Sequence, residues 1–167
     1  MDKRTILVTG ASSGIGFAIV SYLSNLGYTV LATTRQLSGK NRLEDLESNF
    51  IYPVFPLDLT DKNQVKERAT EIINKIIKGE IPPLEAVIFV AGGGHIAPVE
   101  LMNLEHFKEE LDVRLLSTVQ MLQHFIPLLR KTKGKIIWIA TPGLFPVPFV
   151  ADIHACDNCC ILLKKGE

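Results

Sequence analysis

The chain has 167 residues, 47% hydrophobic and 22% charged, which is room and material for a single domain with a real core spanning residues 1–167. Its 18 basic side chains balance its 18 acidic ones, so no net charge draws it toward nucleic acid or an anionic membrane surface. The apolar runs fall short of the roughly 18 residues that a spanning helix needs. Met1-Asp2-Lys3-Arg4 leads straight into a strand-like run with no signal peptide, and the three cysteines crowd at 156, 159 and 160, which is no disulfide framework. A cytoplasmic protein with reduced thiols is the expectation.

In chain order, apolar and β-branched runs recur at Thr5–Thr9, Thr29–Thr33, Ile51–Leu57, Ala86–Ala91 and Lys135–Ala140. Helical patterns long enough for crossover connections separate them. Strands that are apolar on nearly every residue, alternating with helices, predict an α/β domain whose parallel sheet is doubly wound and covered on both faces. The Gly/Pro-rich breaks fall at Gly79–Pro83 and Thr141–Pro148, and neither is long enough to separate a second domain.

The first strand runs into Thr9-Gly10-Ala11-Ser12-Ser13-Gly14-Ile15-Gly16 and then the helical run Phe17–Leu26. In such a strand-turn-helix context Gly10 permits the tight turn, Gly14 lets the backbone approach a pyrophosphate, and Gly16 lets helix and strand pack closely. The helix N-terminus meanwhile presents unpaired N–H groups to an anion. The first turn therefore predicts a dinucleotide site on a Rossmann fold.

On these residues the chain resembles the short-chain dehydrogenase/reductase family, in its retinol- and steroid-dehydrogenase-like branch, from Thr5 to about Leu163. The resemblance implies that Ser12, Ser13 and Ile15 join the glycines around the cofactor and that Ala91 and Gly92 lie near the adenosine ribose. It also implies that Asp58, followed by Leu59 and Thr60, accepts a hydrogen bond from the adenine amino group. An ordinary helix N-cap at Thr60 or Asp61 fits the same residues. Thr34 stands where NAD-specific members carry Asp, and Arg35 follows with a guanidinium suited to a 2′-phosphate, which favours NADP(H) over NAD(H).

The family's chemistry rests on an Asn in the fourth helix, a Ser after the fifth strand, and a Tyr and Lys four residues apart in the fifth helix. Arg114 stands at the Asn position, Thr141 at the Ser position, His154 at the Tyr position and Asn158 at the Lys position. The tyrosines are Tyr22, Tyr28 and Tyr52, and no lysine follows any of them by four residues. The family's Lys both lowers the Tyr pKa and holds the nicotinamide ribose, whereas Asn158 has no charge and less reach. His154, with Thr141 to bond a substrate oxygen, is the candidate replacement, because imidazole titrates near neutrality.

Phe89-Val90 replaces the Asn-Asn that ties neighbouring strands together in the family, a loss that packing can offset. Gly93, Gly94 and His95 extend the following loop and are expected to be flexible. Arg114 lies on the inward stripe of Leu111, Leu115, Leu122 and Phe125. It either meets an anion (a cofactor phosphate, a substrate carboxylate or the neighbourhood of Asp112) or, the expectation favoured here, snorkels to solvent. The run from His154 through Cys156, Cys159 and Cys160 invites a zinc reading. Residues two apart on a helix point to opposite sides and a fourth ligand is missing, so no metal is expected and the thiols should pack against the sheet.

Family members continue past the fifth helix through a lid that covers substrate, so the fold is expected to be C-terminally incomplete. Self-association through the fourth and fifth helices is the expected cover. Three readings follow. One is an NADP(H)-binding relative with degenerate catalytic positions, a pseudoenzyme with a regulatory or assembly role. Another is an active carbonyl reductase or alcohol dehydrogenase using His154 and Thr141 on a small substrate. The last is a truncated product. The first and last are expected ahead of the second.

Overall fold

A computed structural model of the chain describes residues 4–141 and 147–163, with the side chains of the last helix described as far as Cys159. Five parallel strands, β1 (Thr5–Val8), β2 (Thr29–Thr33), β3 (Ile51–Val54), β4 (Leu84–Phe89) and β5 (Lys135–Trp138), form one sheet in the order β3-β2-β1-β4-β5. The alternation of strands and helices in the sequence required such a sheet. The order, which reverses between β1 and β4, comes from tertiary packing alone.

Helices cover both faces. Side chains alternate across each strand, so Ile6 and Val8 face one way with Val20 of α1 (Gly14–Asn25) and Leu43 of α2 (Leu37–Glu44). Leu7 and Val87 face the other way. There they meet Val65, Ala69 and Ile72 of α3 (Lys62–Ile77) together with Met121, Phe125 and Leu129 of α5 (Ser117–Thr132). These are the two cores of a doubly wound domain. Four strands are shorter at the C-terminal end than their apolar runs, because beyond Val8, Val54, Phe89 and Trp138 the chain leaves the ladder to build loops. Helix α1 begins at Gly14 rather than Phe17, since the glycines of the turn already belong to its first turn.

The helix expected fourth is interrupted. Helix α4 (Leu104–Glu110) passes into a π turn over Leu111–Leu116 and then into α5. At that junction Ser117 Oγ donates to the Val113 carbonyl at 2.6 Å and Thr118 Oγ1 to the Arg114 carbonyl at 2.8 Å, local bonds that compete with the regular ladder and widen the helix. Helix α6 (Ala151–Leu163) follows β5. Residues 142–146 of the break expected at Thr141–Pro148 lie outside the described residues. Among the described residues no helix is long and apolar enough to cross a membrane.

Candidate nucleotide site

Strand order reverses between β1 and β4, and above their carboxyl ends lies a cleft of about 730 Å³. A doubly wound sheet places its ligands in such a crevice. The first turn, the end of β2, the loop after β3 and the loop after β4 all contribute walls. Gly10, Ser12, Ser13, Gly14, Ile15, Gly16, Thr34, Arg35, Asp58, Leu59, Ala91 and Gly92 all line it. Positions as distant in sequence as Gly10 and Gly92 thus share one cavity.

The turn is shaped by contacts that exclude side chains. Gly10 has φ +64°, and a Cβ there would lie 2.8 Å from the Ala91 Cα; a Cβ on Gly16 would overlap the Gly10 carbonyl oxygen. Both positions therefore need glycine on steric grounds. Ser13 precedes α1 without a side-chain cap, and the first turn carries no acidic residue. By contrast, Asp61 caps α3 by accepting from the Asn63 and Gln64 amides. The α1 terminus thus keeps its donors and positive dipole end for an anion.

On the cleft floor, Thr9 Oγ1 accepts from the Val90 amide at 3.0 Å and the Ala91 amide at 3.2 Å. This hydroxyl ties β1 to the end of β4 where the family's Asn pair is missing. Phe89 instead stacks on Trp138 of β5, ring centroids 5.6 Å apart.

At the end of the cleft beside β2 and β3, Asp58 Oδ1 accepts from the Thr60 amide and hydroxyl at 2.9 and 2.8 Å. Its Oδ2 lies 3.9 Å from Arg35, which also stands 3.8 Å from Glu109 across the cleft. The N-cap role falls to Asp61, so the Asp58 carboxylate keeps one oxygen toward the cleft.

The four positions expected to carry chemistry are arranged differently from one another. Arg114 does not snorkel: its side chain is 14% exposed. It sits in the π turn with Nε donating to Glu110 Oε2 at 2.8 Å, Nη1 to Asp157 Oδ1 at 3.3 Å and Nη2 to the Gly93 carbonyl at 3.3 Å. Burial of a guanidinium demands anions, and the chain supplies two. Asp157 Oδ2 in turn accepts from the Thr141 amide at 2.8 Å and its hydroxyl at 2.7 Å. His154 lies in the first turn of α6, half-buried, its amide bonded to the Val150 carbonyl. Asn158 Nδ2 donates back to the His154 carbonyl at 2.9 Å. None of Arg114, Thr141, His154 or Asn158 lines the cleft.

The loop expected to be flexible is pinned. The Gly93 amide donates to Glu110 Oε1 and the His95 amide to the buried Asp152, each at 2.9 Å, while the His95 ring stacks on His106 with centroids 4.1 Å apart. Glu110, Asp152 and Asp157 are the residues that reading the sequence passed over. Only the first left a trace there, as an acid four residues before Arg114 on one helical face. Cys156 is buried, as thiols against a sheet would be, but Cys159 is exposed, and the Cys160 side chain lies outside the described residues. Among the described residues no three His, Cys, Asp or Glu side chains are grouped to hold a metal.

A family model described as short chain dehydrogenase matches residues 4–151. The chain belongs to the short-chain dehydrogenase family. It is 33% identical over 153 residues to rat estradiol 17-beta-dehydrogenase 2, covering 89% of this chain and 39% of that protein. It is 31% identical over 163 residues to a short-chain dehydrogenase of Penicillium crustosum, covering 97% of this chain and 58% of that protein. Among solved structures, ElxO with NADP bound superposes with a TM-score of 0.82 at 26% identity, over 96% of this chain and 65% of that one. The chain thus spans between about two fifths and two thirds of the length of these relatives. Gly10, Gly14 and Gly16 of the first turn line the cleft, whereas Arg114, Thr141, His154 and Asn158, expected at the family's catalytic positions, do not.

Proposed function

We propose that this short-chain dehydrogenase binds a nicotinamide dinucleotide, NADP(H) ahead of NAD(H), in the cleft above β1 and β4, and has lost the family's ordinary carbonyl chemistry. The observation that carries the proposal is the uncapped α1 terminus set beside Gly10 and Gly16, a cradle that a Cβ would fill. It fits a pyrophosphate, and the guanidinium of Arg35 and the carboxylate of Asp58 in the same cleft support a 2′-phosphate and an adenine amino group as their partners. The NADP bound to ElxO, a structural relative, supports the same choice.

A bound dinucleotide supplies a hydride, or accepts one, at its nicotinamide. What this chain lacks is the partner for that step. A positioned general acid/base contributes typically about 10²–10⁴ in rate, and the positions for it and its activator carry His154 and Asn158. Thr141 commits its hydroxyl proton to Asp157.

Titration with NADPH tests the proposal. Binding is expected, with Arg35→Ala weakening NADPH by about tenfold, the worth of one charge-assisted phosphate contact, while leaving NADH unchanged. Absence of binding would overturn it. Turnover of aldehydes or ketones that His154→Ala abolishes would overturn the loss of chemistry. Self-association through α4, α5 and α6 belongs to the same proposal, supported by the exposed apolar side chains Leu104 and Leu116. A concentration-independent monomer in sedimentation would refute that part.

A further inference from the structure

At the end of the cleft beside β2 and β3 one cation stands between two anions. Arg35 Nη1 lies 3.9 Å from Asp58 Oδ2 and 3.8 Å from Glu109 Oε1, and all three residues line the same cleft. Arg35 and Asp58 come from the segments after β2 and β3, whereas Glu109 is brought across the cleft by α4. Both separations allow charge attraction but are too long for a hydrogen bond. Asp58 is anchored elsewhere, its Oδ1 accepting from the Thr60 amide and hydroxyl. Helix α4 takes its cap from Asn103, so it is closed without the Glu109 carboxylate.

We propose, resting on the nucleotide reading above, that Glu109 is a specificity-determining residue of the site: its carboxylate competes with a 2′-phosphate for the Arg35 guanidinium and so holds down the preference for NADP(H) over NAD(H). A phosphate monoester carries roughly −1.5 to −2 charges near neutrality. The guanidinium it meets is already flanked by two carboxylates, which leave the spot with a net negative charge. Arg35 presents a planar fork of N–H donors suited to a phosphate in two-point contact. Turning that fork to the ligand gives up the attraction to Glu109 and brings carboxylate and phosphate together. A ligand that ends in a 2′-hydroxyl carries no charge there, so Glu109 leaves its affinity untouched. The size of the effect follows from exposure. The Arg35 and Glu109 side chains are 55% and 48% exposed, so water screens the pair and the competition changes affinity by about fivefold.

The test measures NADPH and NADH affinity by calorimetry on the full chain for the parent, Glu109→Gln, Arg35→Ala and the double variant, with Glu105→Gln as control. Glu105 is an exposed acid of the same helix that does not line the cleft, so its replacement removes the same charge outside the site. The expected result is that Glu109→Gln tightens NADPH about fivefold and leaves NADH within about twofold. Added to Arg35→Ala, the same change should give no gain, since the cation competed for is gone. Glu105→Gln should move neither nucleotide. Unchanged NADPH affinity, equal tightening of both nucleotides, the same gain from Glu105→Gln, or a full gain without Arg35 each overturns the inference while leaving the nucleotide reading intact. If the parent binds neither nucleotide, the nucleotide reading itself fails and takes this inference with it.

Discussion

Replacing Thr9 by valine keeps the shape of a fully buried side chain and removes one oxygen. That oxygen accepts from two backbone amides, Val90 at 3.0 Å and Ala91 at 3.2 Å, neither of which belongs to the β4 ladder. A buried donor left without a partner costs about 1–3 kcal/mol. Val90 and Ala91 are half-buried, so water can reach part of the gap, and the two together should cost roughly 2–4 kcal/mol. For a domain of this size that lowers Tm by about 5–15 °C, at roughly 2–4 °C per kcal/mol. Urea unfolding should show a lower midpoint with an unchanged slope, since the surface exposed on unfolding is the same. Thr9→Ser keeps the acceptor and should retain most of the stability. NADPH affinity should fall in the valine variant as well, because Ala91 forms the floor of the cleft. A valine variant within about 0.5 kcal/mol of the parent would refute the reasoning, showing that the two amides find other partners.

Three further outcomes are expected. Gly16→Ala places a methyl into the Gly10 carbonyl and pushes α1 away from β1; unfolding should show a loss of about 1–3 kcal/mol, and NADPH titration a weakened site in whatever remains folded. Arg114→Met leaves Glu110 and Asp157 buried without their cation, at a cost of about 3–5 kcal/mol in urea unfolding; Arg114→Met combined with Glu110→Gln and Asp157→Asn should recover part of it. Lys75 and Arg68 beside Glu71 hold its carboxyl below the usual range. A lowered folded-state pKa adds stability that is present above the unfolded pKa and lost as pH falls through the folded one. Glu71→Gln should therefore cost a few tenths of a kcal/mol at neutral pH, as exposed helix pairs do. The difference from the parent should vanish in acid, as followed by thermal unfolding across pH.

The legible part of this molecule is the part whose physics is local. Gly10, Gly14 and Gly16 announce a phosphate turn because backbone conformation and close helix packing are decided within a few residues. The alternation of apolar strands and helices announces a parallel sheet for the same reason. It is equally plain from spacing alone that no tyrosine precedes a lysine by four residues.

What became of Arg114 was not legible. Arg114 was expected to reach solvent although acids stand near it in the chain, Asp112 two residues before it and Glu110 four, because one neighbouring acid does not by itself hold a guanidinium out of water. Its second carboxylate, Asp157, lies 43 residues away, brought alongside only when α6 packs against the π turn. The same packing anchors the glycine loop to Glu110 and Asp152 and turns an expected flexible segment into a fixed wall. The sequence by itself therefore determined the strand-turn-helix unit, the covered sheet and the absence of any tyrosine followed four residues later by a lysine, each written in short-range pattern. Only the tertiary structure decided where the displaced charges went, because a buried ion pair depends on which distant elements meet and exclude water between them.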